Sequence, residues 1–405
     1  MAKKGELIVG LDIGTTKVVA VVGEVHPGGA LEIVGIGQAP SRGLRRGVVI
    51  DIESTVAAIR QAVAEAEAMA GCHIESVFAG IAGGHIKAFN SHGVQQVKSG
   101  EVRMEDVAKV LELARAAAIP QDREVLHIVE QEYVIDGQDG IKSPLGICGV
   151  RLEARVHVVT AAASAVQNVV KCAQLSGLKV AGIVLEPLAS SQSVLTDEER
   201  ELGVCLVDIG GGTTDLAVFG EGALVHTSVF PLGGNHLTND IVVGLRTPVA
   251  DAERIKREHG CAMAEMVGAD ETIEVPSVGD RAPRKLSRRI LCDIIEPRLE
   301  EIFQLVAREI QLCGWEQQLT SGLVVTGGAS LMPGLEELAE QVTGLLVRRG
   351  EPRTAGLAAA KDPRLATGVG LVHYGIKADE ERFLLGKPTG GLAGRFGRWL
   401  SKSFS

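Results

Sequence analysis

The chain has 405 residues and a formal net charge of -10, from 41 Lys and Arg against 51 Asp and Glu. That length gives room for roughly two to three domain units, and 45% hydrophobic with 23% charged residues excludes a mainly disordered chain. The acidic balance argues against broad nucleic-acid binding, which needs a basic footprint, so no nucleic-acid partner is expected.

Aromatic residues make up only 3%, whereas Gly numbers 50, which predicts many tight turns and close backbone approaches. The seven Cys form no C-x-x-C pair, and most lie in apolar runs such as Val204-Cys205-Leu206-Val207. They read as reduced core thiols of a cytosolic protein. No secretory pattern opens the sequence, and no apolar run reaches the ~18 residues of a membrane span.

In chain order, residues 7–11, 17–25 and 31–36 read as apolar strands, the last after the turn Pro27-Gly28-Gly29. Val56, Ile59 and Val63 recur at helical spacing and predict a helix over 54–69, closed by Gly71. Between 83 and 159, a helix over 104–118 stopped by Pro120, with strands at 124–135 and 152–159, predicts a compact α+β insert. Core elements resume with a helix at 165–175 and strands at 179–185 and 203–208. Helices are predicted at 237–244, 251–258 and 285–312, then a strand at 323–326, a helix at 334–343 and a strand at 345–348. From 379 to 391 the pattern becomes charged, then rich in Gly and Pro, and reads as a linker.

One internal echo organises the whole chain. Leu11-Asp12-Ile13-Gly14-Thr15-Thr16-Lys17-Val18 is repeated in kind by Val207-Asp208-Ile209-Gly210-Gly211-Gly212-Thr213-Thr214, the two aspartates 196 residues apart. Each Asp ends an apolar strand, and each turn leads into another. Duplication of one α/β unit, giving two like lobes, is the reading. Gly turns let backbone N–H groups crowd round phosphate oxygens, and Thr hydroxyls and Lys17 add donors and charge. An Asp at a strand end can hold Mg2+ through water. A single such turn is an ordinary hairpin, but two matched turns suit opposing jaws on one polyphosphate.

Two further pieces extend the site. Val324-Val325-Thr326-Gly327-Gly328-Ala329 runs a buried strand into a Gly pair where a flat base or ribose could meet backbone. Gly233-Gly234-Asn235 opens a helix whose N–H groups could face a nucleotide. Glu253 and Lys256, three apart, share one helical face. A plain turn and a solvated charged helix are the alternatives at these positions.

These pieces, in this order, resemble the actin-like ATPase superfamily of actin, the major heat-shock chaperones and sugar kinases. The resemblance spans nearly the whole chain. It implies an α/β fold of two lobes with duplicated five-stranded cores and ATP with Mg2+ between them. It places Asp12 and Asp208 at the metal, as the catalytic pair. Gly14, Thr15, Thr16, Lys17, Gly210, Gly211, Gly212 and Thr213 then grip phosphates. Gly327, Gly328 and Ala329 face adenosine, with Gly234, Asn235, Glu253 and Lys256 on its other side. Gln167, on the helix after Thr160, is a candidate for positioning an attacking water, and slow turnover or binding alone is equally consistent.

The last fifteen residues carry a second signal. At ~100° per residue, Leu392, Phe396, Trp399, Leu400 and Phe404 fall within roughly 140°, and Arg395, Arg398 and Lys402 within about 60° on one flank. At about 1.5 Å per residue this helix is roughly 20 Å long, too short to span a bilayer. It suits an anionic membrane surface, with a terminal helix packed on the body as the alternative.

Cleft plus tail resembles the FtsA family of actin-like bacterial cell-division proteins. Gln131-Glu132-Tyr133, Pro144-Leu145-Gly146, Gly149-Val150-Arg151 and Leu185-Glu186-Pro187 fit it too. The resemblance implies a scaffold that forms filaments of itself on the cytoplasmic side of the inner membrane at the division site. It would anchor the tubulin-like FtsZ ring and help recruit later division proteins of the membrane. The FtsZ C-terminal peptide is expected on the late helix, where Lys285, Arg288, Arg289 and Arg298 suit acidic residues. The implied division is 1–82 and 161–195 as first-lobe core, 83–160 as insert and 196–232 as second-lobe core. A helical subdomain at 233–314 follows, then 315–378 as the rest of the second lobe and the return to the first. Linker 379–391 and amphipathic helix 392–405 end the chain. A kinase or phosphohydrolase, a chaperone-like ATPase and a type IV pilus actin-like partner stay open as alternatives. The first needs a substrate carboxylate that the sequence does not identify, the second a large peptide-binding domain, and the third lacks such a tail.

Overall fold

The structure, a computed structural model, describes residues 6–26, 29–116, 119–279 and 281–384, with side chains to residue 378. The predicted tail helix and residues 385–391 of the predicted linker lie outside the described residues.

The first lobe opens with strands β1 (Glu6–Ile13), β2 (Lys17–Val25) and β3 (Leu31–Pro40), the small hairpin β4 (Leu44–Arg45) and β5 (Val48–Val49), helix α1 (Ile52–Ala70) and strand β6 (Ser76–Ile81). The insert holds β7 (Lys87–Gln96), α2 (Met104–Arg115), β8 (Arg123–Ile135), β9 (Gln138–Ile141) and β10 (Arg151–Ala162). Then come α3 (Ala163–Leu175), β11 (Lys179–Leu185), α4 (Glu186–Val194) and α5 (Asp197–Leu202). The second lobe has β12 (Val204–Ile209), β13 (Thr214–Gly220), β14 (Ala223–Phe230), α6 (Gly234–Leu245), α7 (Val249–His259), β15 (Thr272–Val275), β16 (Arg284–Ser287), α8 (Arg288–Cys313), β17 (Leu323–Thr326), α9 (Leu335–Thr343) and β18 (Val347–Arg349). The chain returns to the first lobe through β19 (Ala355–Gly356) and α10 (Ala366–Leu384).

Each lobe is a mixed sheet. The first has strand order β11-β6-β1-β2-β3-β19 and the second β14-β13-β12-β17-β18. The expected five strands per lobe hold for the second; the first gains a sixth because Ala355–Gly356 pairs parallel to Glu32–Ile33. The insert is a separate antiparallel sheet, β7-β10-β8-β9, with α2 on it. It also covers the edge strand of the second lobe. Gln131 Nε2 donates to the carbonyls of Leu224 and Val225 at 3.2 and 3.4 Å, and His157 Nε2 bonds Thr227 Oγ1 at 3.0 Å. An exposed edge would otherwise offer unpaired backbone groups.

The predicted elements differ from the observed ones at their ends. The helix α1 is set by its caps: Asp51 accepts from Ser54 N–H at 3.2 Å, and Gly71 closes it at φ 62°. Its buried residues Val56, Ile59, Ala62, Val63 and Ala66 form the stripe that packs on the sheet. The helix predicted from 285 begins at Arg288, because Arg284–Ser287 pairs with Thr272–Val275. Nor is the stretch from 379 all linker: α10 runs to Leu384, and no Gly or Pro interrupts the sequence between Gly375 and Gly386. The seven Cys are free thiols, and Cys148 is exposed rather than in the core.

α4 and α10 form the layer between the lobes, packing Ala189, Val369 and Val372 against first-lobe strands and Val194 and Ala366 against second-lobe ones. They approach so closely that a Cβ on Gly370 would stand 1.9 Å from the Ala189 carbonyl oxygen. Gly370→Ala is therefore expected to lower stability by about 1–3 kcal/mol, read as a reduced urea midpoint. An unchanged midpoint would show that this contact can open freely.

Candidate functional site

The duplicated hairpins have the same turn. Gly14 N–H donates to Lys17 O at 3.0 Å, and Gly210 N–H to Thr213 O at 3.0 Å. Strand register makes Asp12 face Val19 and Asp208 face Asp215. The Thr pairs are not equivalent, as their spacing in sequence suggests. Thr15 and Thr16 lie in the first turn, whereas Thr214 is already in β13, buried, donating to Leu232 O at 3.0 Å. The turns meet tip to tip, Thr15 and Thr16 against the backbones of Gly212 and Gly211.

Between the turns lies a cavity of about 590 Å³. It brings together every candidate phosphate, metal and adenosine residue from Asp12 to Ala329, and does not include Gln167. Gln167 is exposed on α3, because Val166, Val169 and Cys172 take the buried face of that helix. Two carboxylates at the cavity were missed by sequence reasoning: Glu186, at the start of α4 directly after β11, and Asp215, in β13.

Four acids converge there. Burial pushes Asp12 up to about 6, with Lys17 opposing and Asp208 adding to the rise. Burial pushes Asp215 up to about 8, reinforced by Asp208. Glu186 is held well above the usual carboxylate range by burial, then by Asp12, Asp215 and Asp208. Asp208 rises through burial, but hydrogen bonds from Ser190 (2.9 Å) and Thr367 (3.3 Å) and the charge of Lys17 hold it back. Lys17 is itself lowered by burial. Burial, with like charge at Asp12, Asp215 and Glu186, outweighs the opposing charge of Lys17 at this site. Asp215 Oδ2 accepts from Thr213 at 2.9 Å, while its Oδ1 is buried without a partner among the described residues. The donor set fits a divalent cation. Among the described residues no three His, Cys, Asp or Glu side chains are grouped as direct ligands; a hydrated ion held through water is the form in which these carboxylates would take it.

The far end is built differently from expectation. The first N–H groups of α6 do not face the cavity as donors. Gly234 N–H donates to Gly210 O at 2.9 Å and Asn235 N–H to Gly211 O at 2.8 Å, so this helix holds the second turn in place. Lys256 Nζ, lowered by burial, bonds Glu253 at 2.6 Å, Thr238 at 2.8 Å and Gly234 O at 3.0 Å. Gly327 sits at φ 84°, and a Cβ there would stand 2.3 Å from Asp208 Oδ1. Ser190, Asp215, Arg364 and Thr367 also belong to the site. The signal for Asp215 was available: pairing the second hairpin residue by residue puts it opposite Asp208. Ser190, Arg364 and Thr367 arrive from distant segments and carry no local motif.

Of the expected peptide-binding cations, Arg288 and Arg298 have internal partners. Arg288 bonds His259 O and Glu271, both at 2.7 Å; Arg298 grips Asp240 at 2.7 and 3.3 Å. Lys285 and Arg289 are exposed. The membrane-facing candidates Leu392, Arg395, Phe396, Arg398, Trp399, Leu400, Lys402 and Phe404 lie outside the described residues. No helix of the described residues is long and apolar enough to cross a membrane.

Solved structures share this architecture. The PilM–PilN type IV pilus biogenesis complex superposes with a TM-score of 0.67 at 18% identity, over 91% of this chain and 98% of that one. MreB5 of Spiroplasma citri bound to ADP gives 0.52 at 16% identity, over 93% and 98%. Two duplicated α/β lobes closing on a shared acidic cleft define an actin-like protein. Sequence relatives are more specific. The family description "Cell division protein FtsA" matches residues 205–370, and "SHS2 domain inserted in FTSA" matches 83–160. Cell division protein FtsA of Pseudomonas aeruginosa is 51% identical over 413 residues, covering 99% of both chains. Its counterparts in Neisseria meningitidis (48%, covering 97% of this chain and 98% of that one) and Escherichia coli K12 (45%, covering 98% of each) align as fully. The chain belongs to the FtsA family of actin-like cell-division proteins.

The raised carboxyl of Asp215 predicts a pH-dependent stability. The unfolded chain ionises it near 3.8, the folded chain near 8. Between these values the folded state binds more protons, so this group's contribution to stability is full below about pH 4 and is lost as pH rises to about 8. Asp215→Asn should flatten that decline, measured as the urea midpoint from pH 5 to 9. Parallel pH profiles of mutant and wild type would contradict it.

Proposed function

We propose that the cleft binds ATP with Mg2+ and that the chain is a nucleotide-dependent scaffold of cell division tethered to the inner membrane. The observation that carries this reading is the convergence of two matched Gly turns and four acids, two buried and two half-buried, on one cavity. Gly14 to Lys17 and Gly210 to Thr213 grip the phosphates from opposite lobes. Asp12 and Asp208 hold the ion through water, the one from the first lobe and the other from the second. Mg2+ supplies the positive charge that offsets phosphate and carboxylates alike. MreB5 has been solved with ADP and with AMPPNP, which supports a nucleotide in a cleft of this fold.

Glu186 takes the role first assigned to Gln167. It is a half-buried carboxylate at the cavity, and once the ion's charge offsets its acidic neighbours and leaves it ionised it would orient an attacking water and accept its proton. Hydrolysis on this reading is slow, and nucleotide occupancy chiefly holds the lobes together. The amphipathic tail lies on anionic lipid, and filaments of the chain gather many tails, so that weak single anchors bind firmly together. The FtsZ C-terminal peptide docks by acidic residues on the exposed Lys285 and Arg289, and the membrane-bound filament helps recruit later division proteins.

Two measurements test this. Asp208→Asn should weaken Mg-ATP binding by about 10- to 100-fold, by calorimetry, while leaving the Mg-free affinity little changed; equal Mg-ATP affinity would remove Asp208 from the ion's site. Separately, the full chain should co-sediment with anionic liposomes, more so with Mg-ATP, and a chain ending at Gly390 should not. If both stay in the supernatant, the tether is wrong and a soluble enzyme becomes the better reading.

A further inference from the structure

The turn Asp362-Pro363-Arg364, which leads into α10, touches the cleft at several points. Arg364 O accepts from Lys17 Nζ. Pro363 O lies 3.5 Å from Thr326 Oγ1, at the end of β17. Three residues beyond Arg364, Thr367 bonds Asp208. The Arg364 side chain itself lines the cavity, its Cγ 3.8 Å from the point where a Cβ on Gly328 would stand.

The guanidinium is held in a fixed plane. Nε lies 3.0 and 2.9 Å from the two Asp362 carboxylate oxygens, Nη2 bonds the same carboxylate, and Arg364 N–H caps it at 2.8 Å. This fork uses one edge of the group and meets its charge. What it leaves for a ligand is Nη1 and the two flat faces. A neutralised guanidinium adds little to a phosphate, but its face stacks well on an aromatic ring. The neighbouring wall agrees: Leu331, Met332 and Pro333 line the cavity and offer mainly apolar atoms. The side chain is still 46% exposed, a flat surface ready to be covered.

We infer that Arg364, held flat by Asp362, stacks on the base of the bound nucleotide and is the residue by which the cleft distinguishes a nucleoside triphosphate from bare polyphosphate. The inference rests on the nucleotide reading of the cleft. Because Lys17 bonds the carbonyl of the same residue, the phosphate lysine and the base platform are set by one turn.

The test compares Mg-ATP with Mg-tripolyphosphate by calorimetry. Arg364→Ala should weaken ATP about tenfold, the scale of one lost base stack, and change tripolyphosphate less than twofold. Arg364→Lys keeps the charge without the plane and should bind ATP as poorly as Ala. Asp362→Asn leaves the guanidinium but loosens it, and should cause a smaller loss for ATP. Equal weakening of both ligands by Arg364→Ala would make Arg364 a phosphate contact and overturn the inference. So would an ATP affinity that the mutation leaves intact. A wild-type chain that binds neither ligand would overturn the nucleotide reading first, and this inference with it. Thermal melting of each variant shows whether a loss of binding reflects loss of the fold.

Discussion

Four carboxylates gathered in one cleft, Asp12 and Asp215 buried, Asp208 and Glu186 half-buried, with Lys17 facing two of them, are the constraint around which this molecule is arranged. Carboxylates avoid such company unless the surroundings fix them, because burial and like charge both favour the neutral form. Asp12 and Asp208 come from duplicated strands, Asp215 from the partner strand of the second hairpin, and Glu186 from the end of a crossover. No single segment could place all four. The two-lobed architecture holds them where a polyphosphate and a hydrated cation would relieve the strain.

The support for that cluster crosses between lobes. Asp208 belongs to the second sheet, yet its hydrogen bonds come from Ser190 of α4 and Thr367 of α10. Those helices pack on each other without room for a methyl group at Gly370. The hydroxyls that hold Asp208 therefore come from the layer that packs on both lobes. The same layer carries the turn at Arg364, so the grip on Asp208, the bond to Lys17 and the wall beside Gly328 are built from one segment. The insert adds a second bridge through Gln131 and His157 to the edge strand β14. These contacts tie the insert directly to the second lobe.

The duplicated turns, the Gly pair after β17 and the Glu253–Lys256 face could be read from the sequence because each is local: a strand period, a turn and a helical spacing. What escaped depends on register or on long-range assembly. Asp215 is visible only once the second hairpin is paired correctly. Glu186 follows a buried strand much as the two aspartates end theirs, but without a Gly turn to flag it. Gln167 failed because helical spacing gives a face, not the direction in which that face is buried. Lys285 was placed on a helix because Arg284–Ser287 is charged and lacks the alternation of a half-buried strand; pairing with Thr272–Val275 decided otherwise. The first N–H groups of α6 were free in sequence and committed in structure, since the second Gly turn needed them to hold its shape.

Charge sets a limit on how this chain could meet an anionic surface. The whole chain carries -10, while the last fifteen residues carry three cations and no acidic side chain. An anionic surface that attracted the tail would therefore repel the body. Repulsion fades over a Debye length of about 8 Å at physiological salt. Seven residues separate Leu384 from Leu392, and a chain can reach at most about 3.5 Å per residue, roughly 25 Å in all. On the tethered reading that reach lets the tail lie on lipid while the acidic body stays outside the repulsive layer. A single short helix with three cations would still bind weakly, so on that reading assembly, and not the tail's own affinity, would govern when the protein stays on the membrane.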